Sequence, residues 1–434
     1  MLKNRFIVNY NLNGGMHMKN FLLFFITVLA FFLSNCEKKA SKGPVKIALI
    51  EPMSGPYAAV GQDMLASLNF YVEQINRNGG VLNGRKLEVV PFYNAMKAEK
   101  TTELLRKAID DGIKFVTQGA GTNHALNIIK QVDKWNSRNP GKEVIYFNHS
   151  AVSTILTNEL CSFYHFRFDA NADMKVAGLV SQMAKDKDVN KLYLFNQNYA
   201  FGKSIRDAGI KFISERAPRI EIVGNELISP FGKVQDFTPY VSKIKLSNAD
   251  AILTGNWGPD AYRLVNALAD SGVKVKLFGP YIAQANGMQS MGKNVLFNKI
   301  IQIKEFQPTE QNKDNWIVEV NDNHLKTTSF TPDFDRMRFM LEMLTKSINN
   351  TQSLDPKKIA FELENMLGRG AYGPVEMRKE DHQIHFDMIV TEITNDNGKT
   401  IKYKDKDFEV SFNELGKIEK KDITLKTSCN MKRP

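Results

Sequence analysis

Cysteine is scarce in this 434-residue chain: Cys36, Cys161 and Cys429 are all there is, with no CxxC spacing and no Cys/His cluster. That argues against a thiolate-held metal centre. Runs of Lys and Arg interleaved with aromatics are missing too, so the 58 basic and 47 acidic residues, a net +11, are spread along the chain. Nucleic-acid binding requires a clustered basic face, and a mildly basic solvated surface is the reading that remains. The chain contains no GxxxxGK[ST], HExxH or GxSxG motif, no Pro/Ser-rich linker, no low-complexity segment and no residue-level repeat. Apolar content of 43% and charged content of 24% are ordinary globular values, which excludes a fully disordered or fibrous chain. The length fits two or three domains.

An apolar stretch of about 20 residues, the length needed to cross a bilayer, is also lacking. In its place stands the shorter run Phe21–Leu33, flanked by Lys19 and followed by Leu33-Ser34-Asn35-Cys36. A basic flank, a short apolar centre and then small residues form the pattern of a secretory signal, with Met18 as a candidate start. The closing tetrapeptide is similar to a lipobox, with Asn35 where a small Gly or Ala is usual, so Cys36 is the expected lipidation point. The first 36 residues carry Lys3, Arg5 and Lys19 and no acid, which leaves 55 basic against 47 acidic residues, or +8, for the rest. Export to the periplasm or cell envelope follows. An oxidising compartment then favours a disulfide between Cys161 and Cys429, which ties the tail to the region where the chain passes between lobes.

From Val45 onward, short apolar runs alternate with amphipathic stretches. Strands are expected at Val45–Ile50, Leu87–Tyr93, Ile113–Gln118 and Val144–Phe147, with helices at Gly61–Asn76, Glu99–Asp111 and Ala125–Trp135. A second series after Phe166 places strands at Lys191–Phe195, Ile220–Val223, Ala251–Gly255 and Lys274–Phe278. Such alternation builds parallel sheets covered by helices, and two series imply two α/β lobes. Beyond Ile300 the pattern predicts a strand at Lys299–Phe306, helices at Asp333–Ile348 and Asp355–Leu367, strands near Val375–Met377 and His385–Ile393, and a weakly patterned Lys-rich tail on the surface.

Few stretches have the makings of chemistry. Gly119-Ala-Gly-Thr-Asn-His124 follows a strand and opens a helix, but His124 stands at the third glycine of a dinucleotide fingerprint and the next strand ends in Asn148, not an acid. What remains is a glycine-rich helix N-terminus, which suits a small anion such as a carboxylate. Ser54 sits in a strand-to-helix turn without a nucleophile elbow and reads as a turn residue or ligand contact. His382 and His385, beside Asp381 and Asp387, read as hydrogen-bonding residues more readily than as metal ligands. No cofactor, metal or nucleic-acid partner is expected. A secreted α/β enzyme is the alternative class, but no acid/base or nucleophile set supports it.

The chain resembles the branched-chain amino acid receptors of ABC importers, the type I periplasmic binding proteins. The resemblance runs from Val45 to about Ile393. It is carried by KIALIEPMSGPYAAVGQDMLASLNFYVEQINRNGGVLNGRKLEV, then GIKFVTQGAGTNHA, SAVSTILTN, NYAFG, ADAILTGNWGPDAYRLVNALADSG, the Phe278-Gly279-Pro280 turn and GPVEMRKEDHQ, in that order. It implies two Rossmann-like lobes joined by crossing strands: residues 1–36 as signal, 44–166 with 304–386 as lobe 1, and 167–303 with 387–434, tail included, as lobe 2. It also implies a monomeric receptor that takes an amino acid or related carboxylate and delivers it to an ABC permease, with an aromatic acid, amide or urea as the alternative cargo. Carried over, Gly121, Thr122 and Asn123, with Ser150, Ala151, Val152 and Ser153, would hold the ligand's carboxylate and part of its ammonium. Tyr199, Phe201 and Trp257 would close over it. Two positions depart from the amino-acid-binding pattern: Tyr281 stands where an acid is common, and Val152 where a hydroxyl residue is. Asp260 is the candidate replacement counter-charge.

Overall fold

The computed structural model describes residues 43–328, 335–395, 403–405 and 408–434. The expected signal segment and Cys36 lie outside them.

The first sheet is built from β1 (Val45–Glu51), β2 (Leu87–Tyr93), β3 (Phe115–Gln118), β4 (Ile145–Asn148) and β5 (His165–Arg167). All its pairings are parallel, in the order β2-β1-β3-β4-β5. Crossover helices α1 (Ala58–Arg77), α2 (Ala98–Asp110) and α3 (Thr122–Arg138) connect the strands. Residues 47–51 of β1 are buried without a break, as expected for a central parallel strand covered on both faces.

After β5 the chain passes to a second sheet through α4 (Ala172–Lys185), and the pattern restarts. β6 (Lys191–Gln197), α5 (Ala200–Arg216), β7 (Glu221–Ile228), α6 (Thr238–Leu246), β8 (Ala251–Leu253), α7 (Pro259–Asp270), β9 (Lys276–Gly279), α8 (Ala285–Met291) and β10 (Lys299–Lys304) follow in turn. Its parallel part runs β7-β6-β8-β9-β10, the order of the first sheet repeated. In both lobes, the first strand sits between its sequence neighbours' returns in opposite directions. This is the switch point where α/β sheets bind ligands, beyond the carboxyl ends of the strands.

The chain then returns to the first lobe. α9 (Ile317–Thr328) and α10 (Arg336–Thr351) pack on α1, where Ser67 Oγ meets His324 Nε2 at 3.0 Å and Tyr71 Oη donates to Asp335 at 3.4 Å. α11 (Pro356–Leu363) and the small antiparallel sheet β11 (Leu367–Gly370), β12 (Gly373–Met377) and β13 (Ile384–His385) come next. The expected helix Asp355–Leu367 is therefore too long: the chain turns at Glu364, and Leu367 opens a strand. α9 was not foreseen, because its apolar positions are few.

A last crossing leads to β14 (Met388–Thr394), which pairs antiparallel with β10, and then to β15 (Tyr403–Asp405) and β16 (Phe408–Ile418), followed by α12 (Lys420–Ile423). The tail is thus no loose surface wrap. β16 extends the second sheet across seven residue pairs with β14, and residues 425–434 return to the first lobe. There Thr427 Oγ1 donates to Asn158 Oδ1 at 3.0 Å, Arg433 Nε to Glu364 at 2.7 Å, and Cys161 and Cys429 are joined by a disulfide with Cα atoms 5.7 Å apart. Arg167, fully buried, fastens the first crossing to the third: its Nε donates to Gln383 Oε1 at 2.6 Å and its Nη1 to the Ser153 carbonyl at 2.7 Å.

Candidate ligand-binding site

The loops beyond the carboxyl ends of β1, β3 and β4 face those beyond β6, β8 and β9, and a narrow cavity of about 30 Å³ lies between them. On the first-lobe side its wall is Val60 and Met64 of α1, residues 119–122, and Ser150 to Val152. On the second-lobe side it is Tyr199, Phe201, Trp257, Tyr281 and Gln284, and Arg336 closes one end.

Gly121 holds φ +88° immediately before α3, and a side chain there would press on His124. Glycine is therefore required for the sharp entry to the helix. The turn is only partly free to bind an anion. The N–H groups of Gly119 and Ala120 already donate to the buried Glu51 carboxylate, at 2.5 and 3.2 Å. What faces the cavity is the next residue. Thr122 is 1% exposed, lines the wall, and its Oγ1 has no hydrogen-bond partner among the described residues. A buried hydroxyl at a helix N-terminus, without an internal partner, is able to donate to an anion.

The far wall is aromatic and internally braced. Trp257 Nε1 donates to Tyr199 Oη at 2.7 Å, Tyr199 stacks on Phe231 with centroids 4.5 Å apart, and Phe201 lies 5.8 Å from the Tyr281 ring. Tyr57, the residue preceding α1, reaches across from the first lobe. Its ring lies 4.8 Å from Trp257 and 5.7 Å from Phe231, and it is 6% exposed. Gly232 (φ +72°) makes room for it, since a Cβ there would lie 2.6 Å from the Tyr57 hydroxyl. Ser153 Oγ and Ser204 Oγ, 2.8 Å apart, form a second bridge between lobes.

A buried ion cluster stands behind the Tyr281 end. Arg336 contacts Glu305 through Nη1 at 2.8 Å and Asp169 through Nε at 3.2 Å, and it donates to the His149 carbonyl at 2.5 Å. Lys175 Nζ pairs with Asp169 at 2.8 Å, and Tyr281 Oη donates to the other oxygen of Asp169 at 2.5 Å. Burial opposes the charge on Asp169, yet Arg336 and Lys175 together hold its carboxyl below the ordinary value. Burial likewise works against Arg336, and Asp169 and Glu305 more than offset it, so the guanidinium stays charged.

Of the residues expected at the site, Gly121, Thr122, Ser150, Ala151, Val152, Tyr199, Phe201, Trp257 and Tyr281 line the cavity. The structure places the other three elsewhere. Asn123 is exposed and Ser153 faces Ser204. Asp260 is fully buried behind the aromatic wall, where its carboxylate accepts from Gln197 at 2.8 Å and from the Gly232 N–H at 3.0 Å. It shapes the loop that carries Phe231 and offers no charge to the cavity. Ser54 is exposed. His382 lies flat on Phe166 at 3.9 Å with Nε2 3.1 Å from Glu364, and His385 Nδ1 is 2.9 Å from Thr424 Oγ1. Sequence reasoning missed Tyr57, Val60, Gln284 and Arg336. Val60 and Met64 read as one apolar helix stripe, and nothing local marks Arg336, the first residue of α10, as facing a cavity nearly two hundred residues away from its partners at 149 and 150.

A family model described as periplasmic binding protein matches residues 44–399. A Leu/Ile/Val-binding protein homolog of Brucella melitensis is 31% identical, with 96% of this chain and 100% of that protein covered. The crystal structure of a leucine-, isoleucine-, valine-, threonine- and alanine-binding protein from Brucella ovis, in a closed conformation, superposes with a TM-score of 0.80 at 29% identity, covering 91% of this chain and all of that one. A Rhodopseudomonas palustris solute-binding protein in complex with 3,4-dihydroxybenzoic acid shares the fold, with a TM-score of 0.73 at 19% identity over 87% of this chain and 98% of that one. With the same two-lobed architecture and nearly its whole length matched, this chain belongs to the periplasmic binding protein family of ABC transporters.

Proposed function

We propose that this protein captures a small apolar amino acid between its lobes and hands it to a membrane permease without catalysing any reaction. The observation that carries the reading is the pairing of Thr122, a partnerless buried hydroxyl at the start of α3, with the apolar wall of Val60, Met64, Val152, Phe201 and Trp257. One end of the cavity suits a carboxylate and the remainder suits a hydrocarbon or aryl body. The relatives named as leucine-, isoleucine- and valine-binding proteins support the same class.

A single observation favours a second reading, an aromatic or branched carboxylic acid without an amine: among the described residues, the one Asp, Glu, Lys or Arg in the main cavity wall is the cation Arg336. Mass spectrometry of solute released from natively purified protein, followed by calorimetry with leucine, phenylalanine and their deaminated acids, decides between them. Recovery of an amino acid with micromolar or tighter binding supports the first reading, and preference for the deaminated acids replaces it with the second. Export and lipid anchoring at Cys36 belong to the same proposal. Cys36→Ala should move the protein from the membrane fraction to the soluble one, and identical partitioning with no acyl mass on the wild type refutes the anchor.

A further inference from the structure

Away from the inter-lobe cavity, a groove of about 340 Å³ lies between the C-terminal halves of α2 and α3 on the first lobe. Each of its sides is a stripe with the i, i+3, i+4, i+7, i+8 spacing of one helix face. The floor is apolar: Leu105 is buried, and Ile109 and Trp135 are half-buried. The Trp135 indole N–H donates to the Lys142 carbonyl at 2.8 Å, so the ring offers an occupant only apolar surface.

The rim is basic. Arg106, Lys134 and Arg138 are exposed, and none of the three side chains pairs with an acid among the described residues. Nearby Lys107, by contrast, is paired with Asp111 at 3.1 Å. Among the described residues the one carboxylate in the groove wall is Asp110, so three cations against one acid leave a net +2. An apolar floor under an unneutralised basic rim is complementary to an amphiphilic anion, with phosphate against the guanidinium groups and hydrocarbon against the indole.

The place of the groove narrows the choice of anion. α2 and α3 run into β3 and β4, which lie parallel to β1, so the C-terminal ends of both helices gather where Val45 opens the sheet. The ligand cavity lies at the opposite ends of these strands. Val45 follows Cys36 by nine residues, a span of at most about 32 Å for an extended chain. A lipid on Cys36 therefore keeps this end of the sheet within reach of a bilayer. On the reading that Cys36 is lipidated, we propose that the groove takes the headgroup of an anionic phospholipid and rests the first lobe on the membrane surface.

The test uses the full-length Cys36→Ala protein, which has no anchor of its own, so failure of the groove is separate from failure of the lipidation reading. Vesicles of phosphatidylcholine alone are compared with vesicles of equal parts phosphatidylcholine and phosphatidylglycerol. Co-sedimentation gives the partition constant, and melting curves confirm that each variant is folded. Brominated acyl chains quench tryptophans close to them, and Trp135→Phe identifies the share that belongs to Trp135. Binding should favour the mixed vesicles at low salt and vanish at about 0.5 M, where charges are screened within a few ångströms. Each rim cation replaced by Gln should weaken partition roughly fivefold, and Arg106→Gln, Lys134→Gln and Arg138→Gln together on the order of a hundredfold. Equal binding to both kinds of vesicle overturns the proposal, and so does a triple variant that binds and is quenched like its parent. Binding of a polyglutamate peptide without binding of vesicles also overturns it, and assigns the groove to an acidic protein partner.

Discussion

Tyr57 offers the sharpest test of how the two lobes hold together. It belongs to the first lobe, but its ring is buried against Trp257 and Phe231 of the second. Those contacts run between the lobes and lie outside either lobe's own core, so truncation should act on closure and not on folding. Two aromatic pairs contribute about 0.5–1.5 kcal/mol each beyond the area they bury, and burial of the ring adds roughly 1.5–3 kcal/mol. Part of that burial is recovered by relaxation, so Tyr57→Ala should weaken ligand binding by about 2–4 kcal/mol, on the order of a hundredfold or more in Kd. The melting temperature of the unliganded protein should hardly change. Tyr57→Phe makes the converse prediction. The Tyr57 hydroxyl is buried without a partner among the described residues, and burial drives its pKa upward. Removing an unsatisfied hydroxyl relieves a desolvation cost of roughly 1–3 kcal/mol, so this variant should bind as tightly as the wild type or tighter. Calorimetric Kd values and stopped-flow release rates measure both effects. If Tyr57→Phe weakens binding as far as Tyr57→Ala does, the hydroxyl bonds the ligand, and the apolar-latch reasoning is wrong.

Thr122→Val should weaken leucine binding by roughly tenfold or more while leaving the unliganded melting temperature in place, because Oγ1 has no internal partner to lose; tighter binding would contradict the carboxylate assignment. Reduction of Cys161–Cys429, or Cys429→Ser, should lower the melting temperature by several degrees and expose residues 425–434 to proteolysis. The chain-entropy ceiling for a 268-residue separation is about 5–6 kcal/mol, and a tail that stays protected after reduction would show that Thr427 and Arg433 suffice to hold it. Burial, with Arg378 nearby, lowers the His385 pKa from 6.5 to about 4. Between those values the unfolded chain binds a proton that the folded one does not, so stability should fall as pH drops from about 6.5 to 4 and then level off. The full effect is on the order of 3 kcal/mol; denaturant titrations of His385→Gln should lose that slope, and an unchanged slope would assign it to other groups.

Much of the fold was legible in the sequence, because short-range patterns carried it. Buried parallel strands such as Val45–Glu51 read as unbroken apolar runs, and each is followed by a turn and a helix of 3.6-residue period, so the doubly repeated α/β plan could be written down before any coordinates. The glycine turn before Thr122 was legible for the same reason, whereas the aromatic residues at 199, 201 and 257 were picked out by the family resemblance. The antiparallel β16 was hidden because its place in the second sheet depends on pairing with β14, a partner its own residues do not name. Tertiary structure alone decided which polar groups face the cavity. Asp260 and Arg336 each stand in the first turn of a helix and are ionisable, but the first is spent on the Gly232 loop and the second is turned inward between Glu305 and Asp169. Glu51 takes up the amides that the sequence seemed to offer to a ligand, and Tyr57 crosses to the opposite lobe. A hydrogen bond or ion pair is settled by which partner arrives within about 3 Å, and for residues separated by a hundred positions or more that distance is fixed by the packing of whole lobes.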